Sequence, residues 1–89
     1  MTILLTGAAG FIGHHVAAAL LARGEQVVGV DNLNPYYDVR LKRARLARHE
    51  GQAGFRFVQA DIADREAMAA VVAAHPGIDR IVHLAAQAG

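Results

Sequence analysis

No cysteine occurs in the 89 residues, which excludes a disulfide framework and any thiolate metal site. No apolar run approaches the roughly 18 residues that a bilayer-spanning helix needs. No basic segment leads the N-terminus in the manner of a secretion signal, so a soluble, cytoplasmic chain with no membrane partner is expected. The net charge is only +1, and nothing in it draws the molecule as a whole toward nucleic acid. Apolar residues, by contrast, make up 54% of the chain, enough for a buried core and too much for a disordered tail.

The most informative stretch is Thr6-Gly7-Ala8-Ala9-Gly10-Phe11-Ile12-Gly13, which follows the apolar run Ile3-Leu4-Leu5 and leads into a helical pattern. A strand that ends in a glycine-rich turn and opens a helix leaves the first helical N–H groups without partners at the positive end of the helix dipole, a seat for a phosphate. Gly7 suits the tight turn, Gly10 lets backbone approach a pyrophosphate, and Gly13 lets the helix lie close to the strand. Three spaced glycines alone arise by chance, and a tight turn without a ligand is the competing reading. The strand before them, the helix after them and an acid closing the next strand favour a dinucleotide.

In chain order, residues 2–6 read as a strand buried on both faces, and residues 10–23 as a helix with Ile12, Val16, Ala19 and Leu20 inward and Gly24 as its cap. Gln26 to Val30 is the second strand. Asn32-Leu33-Asn34-Pro35 is a loop, and a second helix runs from about Tyr37 to His49 with Tyr37, Leu41 and Ala44 on its inner face. Phe55 to Ala60 forms the third strand. Asp64 caps a third helix whose stripe is Met68, Val71 and Val72, and Asp79 to Leu84 is the fourth strand. Strands alternating with helices predict an α/β fold, a parallel sheet of four strands in the order 3-2-1-4 with right-handed crossovers. The first two helices cover one face and the third crosses to the other. The fourth strand is left as an apolar edge, so the chain is expected to be the first half of a doubly wound (Rossmann) sheet.

Asp31, closing the second strand, stands where a carboxylate accepts hydrogen bonds from an adenosine ribose, and its charge disfavours a 2′-phosphate; the alternative is an Asp that merely starts a turn. Asp61 repeats the placement after the third strand, where it can accept from the adenine amino group with Ile62 against the ring, or be a turn residue. Small residues Ala85 and Ala86 would let backbone come close to a cofactor.

Five of the nine basic residues, Arg40, Lys42, Arg43, Arg45 and Arg48, fall on the second helix. A solvated face is favoured over a phosphate-backbone site, with Lys42 the one placed to touch the cofactor's adenosine side. His14 and His15 are adjacent and point about 100° apart, so they do not make a metal site. His83 reads as a packed, hydrogen-bonded strand residue rather than a catalytic one.

With these residues in place, the chain resembles the N-terminal part of the extended short-chain dehydrogenase/reductase family. The resemblance rests on Thr6-Gly7-x-x-Gly10-x-x-Gly13, Asp31-Asn32, and Asp61-Ile62 followed by His83-Leu84-Ala85-Ala86. Within it, Asp31-Asn32-Leu33-Asn34-Pro35-Tyr36-Tyr37-Asp38, Leu41-Lys42, Ala44-Arg45-Leu46 and the ending Ala85-Ala86-Gln87-Ala88-Gly89 are most similar to the UDP-glucuronate 4-epimerases. The resemblance implies NAD as cofactor, held by Gly7, Gly10, Phe11, Ile12, Gly13, Asp31, Asn32, Lys42, Asp61, Ile62, Leu84, Ala85 and Ala86. It also implies a UDP-sugar substrate, a homodimer formed through later helices, and an isomerase working by transient oxidation at the sugar's C4. The acid–base work in such enzymes belongs to a Tyr-x-x-x-Lys pair with a Ser or Thr. Tyr36 is followed four residues on by Arg40 and Tyr37 by Leu41, so no catalytic residue is expected in 1–89. The chain is expected to be the N-terminal part of the NAD-binding domain, inactive alone. Another NAD-dependent sugar-nucleotide epimerase or dehydratase, or a non-catalytic dinucleotide-binding module, remains open at this point.

Overall fold

The continuous apolar run near the N-terminus forms β1 (Thr2–Thr6), and four of its residues, Ile3 to Thr6, are buried because it lies inside the sheet. The structure, a computed structural model, describes residues 1–33 and 39–85. After β1 come α1 (Phe11–Ala22), β2 (Gln26–Asp31), α2 (Val39–Glu50), β3 (Phe55–Gln59), α3 (Arg65–Ala74) and β4 (Ile78–His83). All pairings are parallel and the spatial order is β3-β2-β1-β4, as expected from the alternating pattern. The register sets Thr6 beside Val30 on one side and beside His83 on the other, and pairs Asp31 with Gln59. The carboxyl ends of all four strands therefore meet along one rim of the sheet.

Alternate residues of β1 and β2 feed two cores. Leu5 and Val27 pack with Ala8, Ala17, Leu46 and Phe55 on the side of α1 and α2, while Leu4, Val28 and Val30 pack with Val71 of α3. Burying side chains of this size contributes about 1.5–3 kcal/mol each, so both faces of the central strands work as core. At the edge, β4 leaves Ile81 exposed, and Val72 on α3 is exposed too.

The helix faces depart from the apolar periodicity. On α1 the buried positions are Gly13, His14 and Ala17, with Val16 and Leu20 partly buried; Ile12 is 65% exposed and Ala19 is exposed. The helix turns its smallest positions to the sheet because only they permit the close approach to the glycine loop described below. On α2 Leu41 and Ala44 face out, and Leu46 and His49 face in, with Lys42 and Arg45 half-buried beside them; Tyr37 lies outside the described residues. This inner face carries polar groups because Lys42, Arg45 and His49 each find a hydrogen-bond partner on a neighbouring element, although His49 Nδ1 is buried without one. Lys42 reaches Asp31, Arg45 donates to the Ala9 carbonyl (3.2 Å), and His49 Nε2 lies 3.2 Å from the His14 carbonyl oxygen. On α3, Met68 and Val71 face the core as expected and Val72 does not.

Candidate functional site

A cleft of about 150 Å³ opens along the rim, lined by Gly7, Gly10, Val30, Asp31, Asn32, Lys42, Ala60, Asp61, Ile62, Leu84 and Ala85. Such a location, outside the strand ends where the order reverses around β1, is the one open parallel sheets use for ligands.

The floor is the glycine loop. Gly7 and Ala8 both donate their N–H groups to the Val30 carbonyl, at 2.8 and 3.2 Å, which ties the loop to the end of β2. Gly7 has φ of 73°, and a Cβ there would stand 2.8 Å from the Ala85 nitrogen, so the conformation and the space both require glycine. A Cβ on Gly13 would overlap the Gly7 carbonyl oxygen. Gly10 is the N-cap of α1 and supplies no side-chain cap, which leaves the N–H groups of the first turn, on Phe11, Ile12 and Gly13, to whatever the cleft holds. The side chains of Phe11 and Ile12 point away from the cleft lining and are 61% and 65% exposed, so these two can contribute backbone only.

Opposite the loop stands Asp31, whose side chain is buried. Its Oδ2 accepts from the Ala9 N–H at 3.1 Å, and its Oδ1 accepts from the Leu33 N–H at 2.8 Å and from Lys42 Nζ at 3.3 Å. The carboxylate is thus fixed in orientation at the cleft wall. Leu33 takes φ of 54° to make this turn, a conformation that costs an ordinary side chain about 1 kcal/mol and is held here by burial and by the bond to Asp31. Asp61 is exposed at the other end of the cleft; its Oδ1 accepts from the Ala63 N–H at 2.9 Å, and Ile62 beside it is half-buried.

The fourth wall is the chain leaving β4. Thr6 Oγ1 accepts from the N–H groups of Leu84 (3.1 Å) and Ala85 (3.2 Å) and lies 2.8 Å from His83 Nδ1. Rather than being packed in the strand, His83 is exposed, although it is hydrogen-bonded as anticipated.

Ten of the thirteen residues assigned from the sequence are thus placed at the cleft or in its floor, while Phe11 and Ile12 are not among the residues that line it. Ala86 lies outside the described residues. Sequence reasoning missed Val30 and Ala60, each of which immediately precedes an acid it did name, and Thr6, whose hydroxyl closes the fourth wall. Among the described residues, no three His, Cys, Asp or Glu side chains come together where a metal ion could be held, and no helix is long and apolar enough to cross a membrane.

A family model described as the NAD dependent epimerase/dehydratase family matches residues 3–89. The chain belongs to that family. Its members similar to this chain include UDP-glucuronate 4-epimerase 4 of Arabidopsis thaliana, 49% identical over 89 residues, which are all of this chain and 20% of that protein. The probable UDP-glucuronate 4-epimerase of Rhizobium meliloti (strain 1021) is 50% identical over 90 residues, covering all of this chain and 26% of the relative. Among solved family structures, the UDP-glucuronic acid 4-epimerase of Bacillus cereus in complex with NAD superposes with a TM-score of 0.84 at 37% identity, over 100% of this chain and 28% of that one. The chain therefore spans about a fifth to a quarter of the length of these relatives.

Proposed function

We propose that residues 1–89 are the NAD-binding part of a sugar-nucleotide 4-epimerase that interconverts UDP-glucuronate and UDP-galacturonate. The observation that carries the cofactor reading is the juxtaposition of an uncapped α1 N-terminus and the Gly7–Gly10 loop with the buried Asp31 carboxylate across one cleft. The loop can take a pyrophosphate without steric hindrance, Asp31 can accept from the ribose hydroxyls, and Asp61 with Ile62 can receive the adenine. When bound, NAD supplies a hydride acceptor that stores the hydrogen of the sugar's C4 and returns it. This chain's residues bind and orient: the first-turn N–H groups hold the diphosphate, Lys42 balances the charge of Asp31, and the Leu84–Ala85 backbone closes one side. The proton is handled by a Tyr-x-x-x-Lys pair outside residues 1–89. The same reading takes the enzyme as a cytoplasmic homodimer with a UDP-sugar as substrate.

Similarity to UDP-glucuronate 4-epimerases over the whole chain supports the choice of sugar. Two measurements test the proposal. Calorimetric titration should give saturable, one-to-one NAD binding. The full-length protein containing this chain should convert UDP-glucuronate to UDP-galacturonate without added reductant. Formation of only a decarboxylated pentose product would overturn the sugar assignment, and absence of NAD binding by the full-length protein would overturn the whole reading.

A further inference from the structure

Three nitrogen atoms converge on the one hydroxyl oxygen of Thr6, and proton counting decides what each must be. Thr6 Oγ1 has two lone pairs and a single hydrogen. The Leu84 and Ala85 backbone nitrogens can only donate, at 3.1 and 3.2 Å, and together they fill the acceptor capacity of the oxygen. The hydroxyl hydrogen must then go to the third neighbour, His83 Nδ1 at 2.8 Å, which therefore accepts. An imidazole that accepts at Nδ1 is neutral and carries its proton on Nε2.

This bond has consequences for the cleft. Thr6 is buried at the end of β1, whereas His83 is exposed at the end of β4. The Leu84 N–H is shared between the Thr6 carbonyl oxygen (3.3 Å) and the Thr6 hydroxyl, so the 84–85 backbone is drawn onto β1 at two points. That same backbone faces Gly7 with no room for a methyl group between them, and it lines the cleft. A hydroxyl whose hydrogen has a fixed acceptor keeps both lone pairs on the two amides. Without that acceptor, the hydrogen competes with the amides for the same space.

We infer that His83 is a positioning residue of the cofactor cleft: by accepting the Thr6 hydroxyl proton at Nδ1, it locks the Leu84–Ala85 wall against the glycine loop. The inference rests on the NAD reading for its functional consequence, while its structural content stands without it.

The test uses the full-length protein with a binding and a spectroscopic readout. Nitrogen-15 spectra of the imidazole in mildly alkaline solution should place the His83 proton on Nε2 almost exclusively, and Thr6→Val should relax it to the partial Nε2 preference of an unconstrained imidazole. A proton found on Nδ1 would overturn the inference whether or not NAD binds. His83→Leu is expected to weaken NAD binding about tenfold, the equivalent of one lost hydrogen bond. His83→Asn, whose side-chain oxygen can occupy the position of Nδ1, should restore affinity to within about twofold of the parent. Equal losses in the Leu and Asn variants, or no loss in the Leu variant while the parent binds NAD, would remove His83 from this role and leave the cofactor proposal intact.

Discussion

Lys42 Nζ lies 3.3 Å from Asp31 Oδ1, and the two side chains are only 13% and 5% exposed. An acid at the end of β2 and a base one helix later thus form a largely buried pair at the cleft wall, with two backbone N–H groups completing the carboxylate's coordination. Removing the lysine leaves that carboxylate with amide donors alone. Lys42→Met should cost about 2 kcal/mol, read as a lower urea midpoint at unchanged slope.

In the proposed function, Asp31 is the residue that would set cofactor specificity. Asp31→Ala should weaken NAD binding roughly ten- to a hundredfold, the range for hydrogen bonds to a charged group. It should also narrow the preference over NADP, because the carboxylate whose charge would repel a 2′-phosphate is gone. Unchanged NAD affinity in this variant would exclude Asp31 from the ribose role.

Gly13 is the point of closest approach between α1 and the glycine loop. A methyl group there would meet the Gly7 carbonyl oxygen, which is backbone and cannot swing aside. Gly13→Ala should therefore lower stability by about 2 kcal/mol or more and weaken NAD binding as the loop shifts. Thermal unfolding and NAD titration of the variant check this, and a parental melting temperature would contradict the packing described.

His14 sits inside the α1–α2 contact with its Nδ1 buried and unpartnered among the described residues. Burial chiefly, and then the nearby His15, Arg48, His49 and Arg45, hold its pKa below the ordinary 6.5. Above 6.5 the ring is neutral in both folded and unfolded chains, and its contribution to stability is complete. As pH falls below 6.5, the unfolded chain takes up the proton first, so stability is lost progressively toward the lower folded value. Denaturant midpoints measured across this window should fall with acidification, and His14→Leu should flatten that slope.

Asp64 Oδ1 accepts the Ala67 N–H at 3.1 Å and caps α3. Asp64→Ala should cost about 1 kcal/mol by removing this bond, with little change in NAD affinity, because α3 lies on the face away from the glycine loop. Urea unfolding alongside NAD titration separates the two effects.

Alternating apolar runs and helical segments determined the sheet order, and the glycine spacing with Asp31 and Asp61 pointed to residues that the fold brings to one cleft. Those features are legible because they depend on local chain chemistry: a turn that needs glycine, an acid that ends a strand, a run too apolar for solvent. Tertiary structure alone decided which helix faces turn inward. Periodicity pointed to Ile12, Leu41 and Ala44, whereas Gly13, Lys42 and His49 face inward, since close packing and hydrogen-bond partners on β2 and α1 outweigh side-chain apolarity there. It also decided that Lys42 meets Asp31 and that His83 meets Thr6 across 77 positions of sequence. Such pairings are set by strand register and helix placement, quantities to which every residue of the sheet contributes and which no short motif encodes.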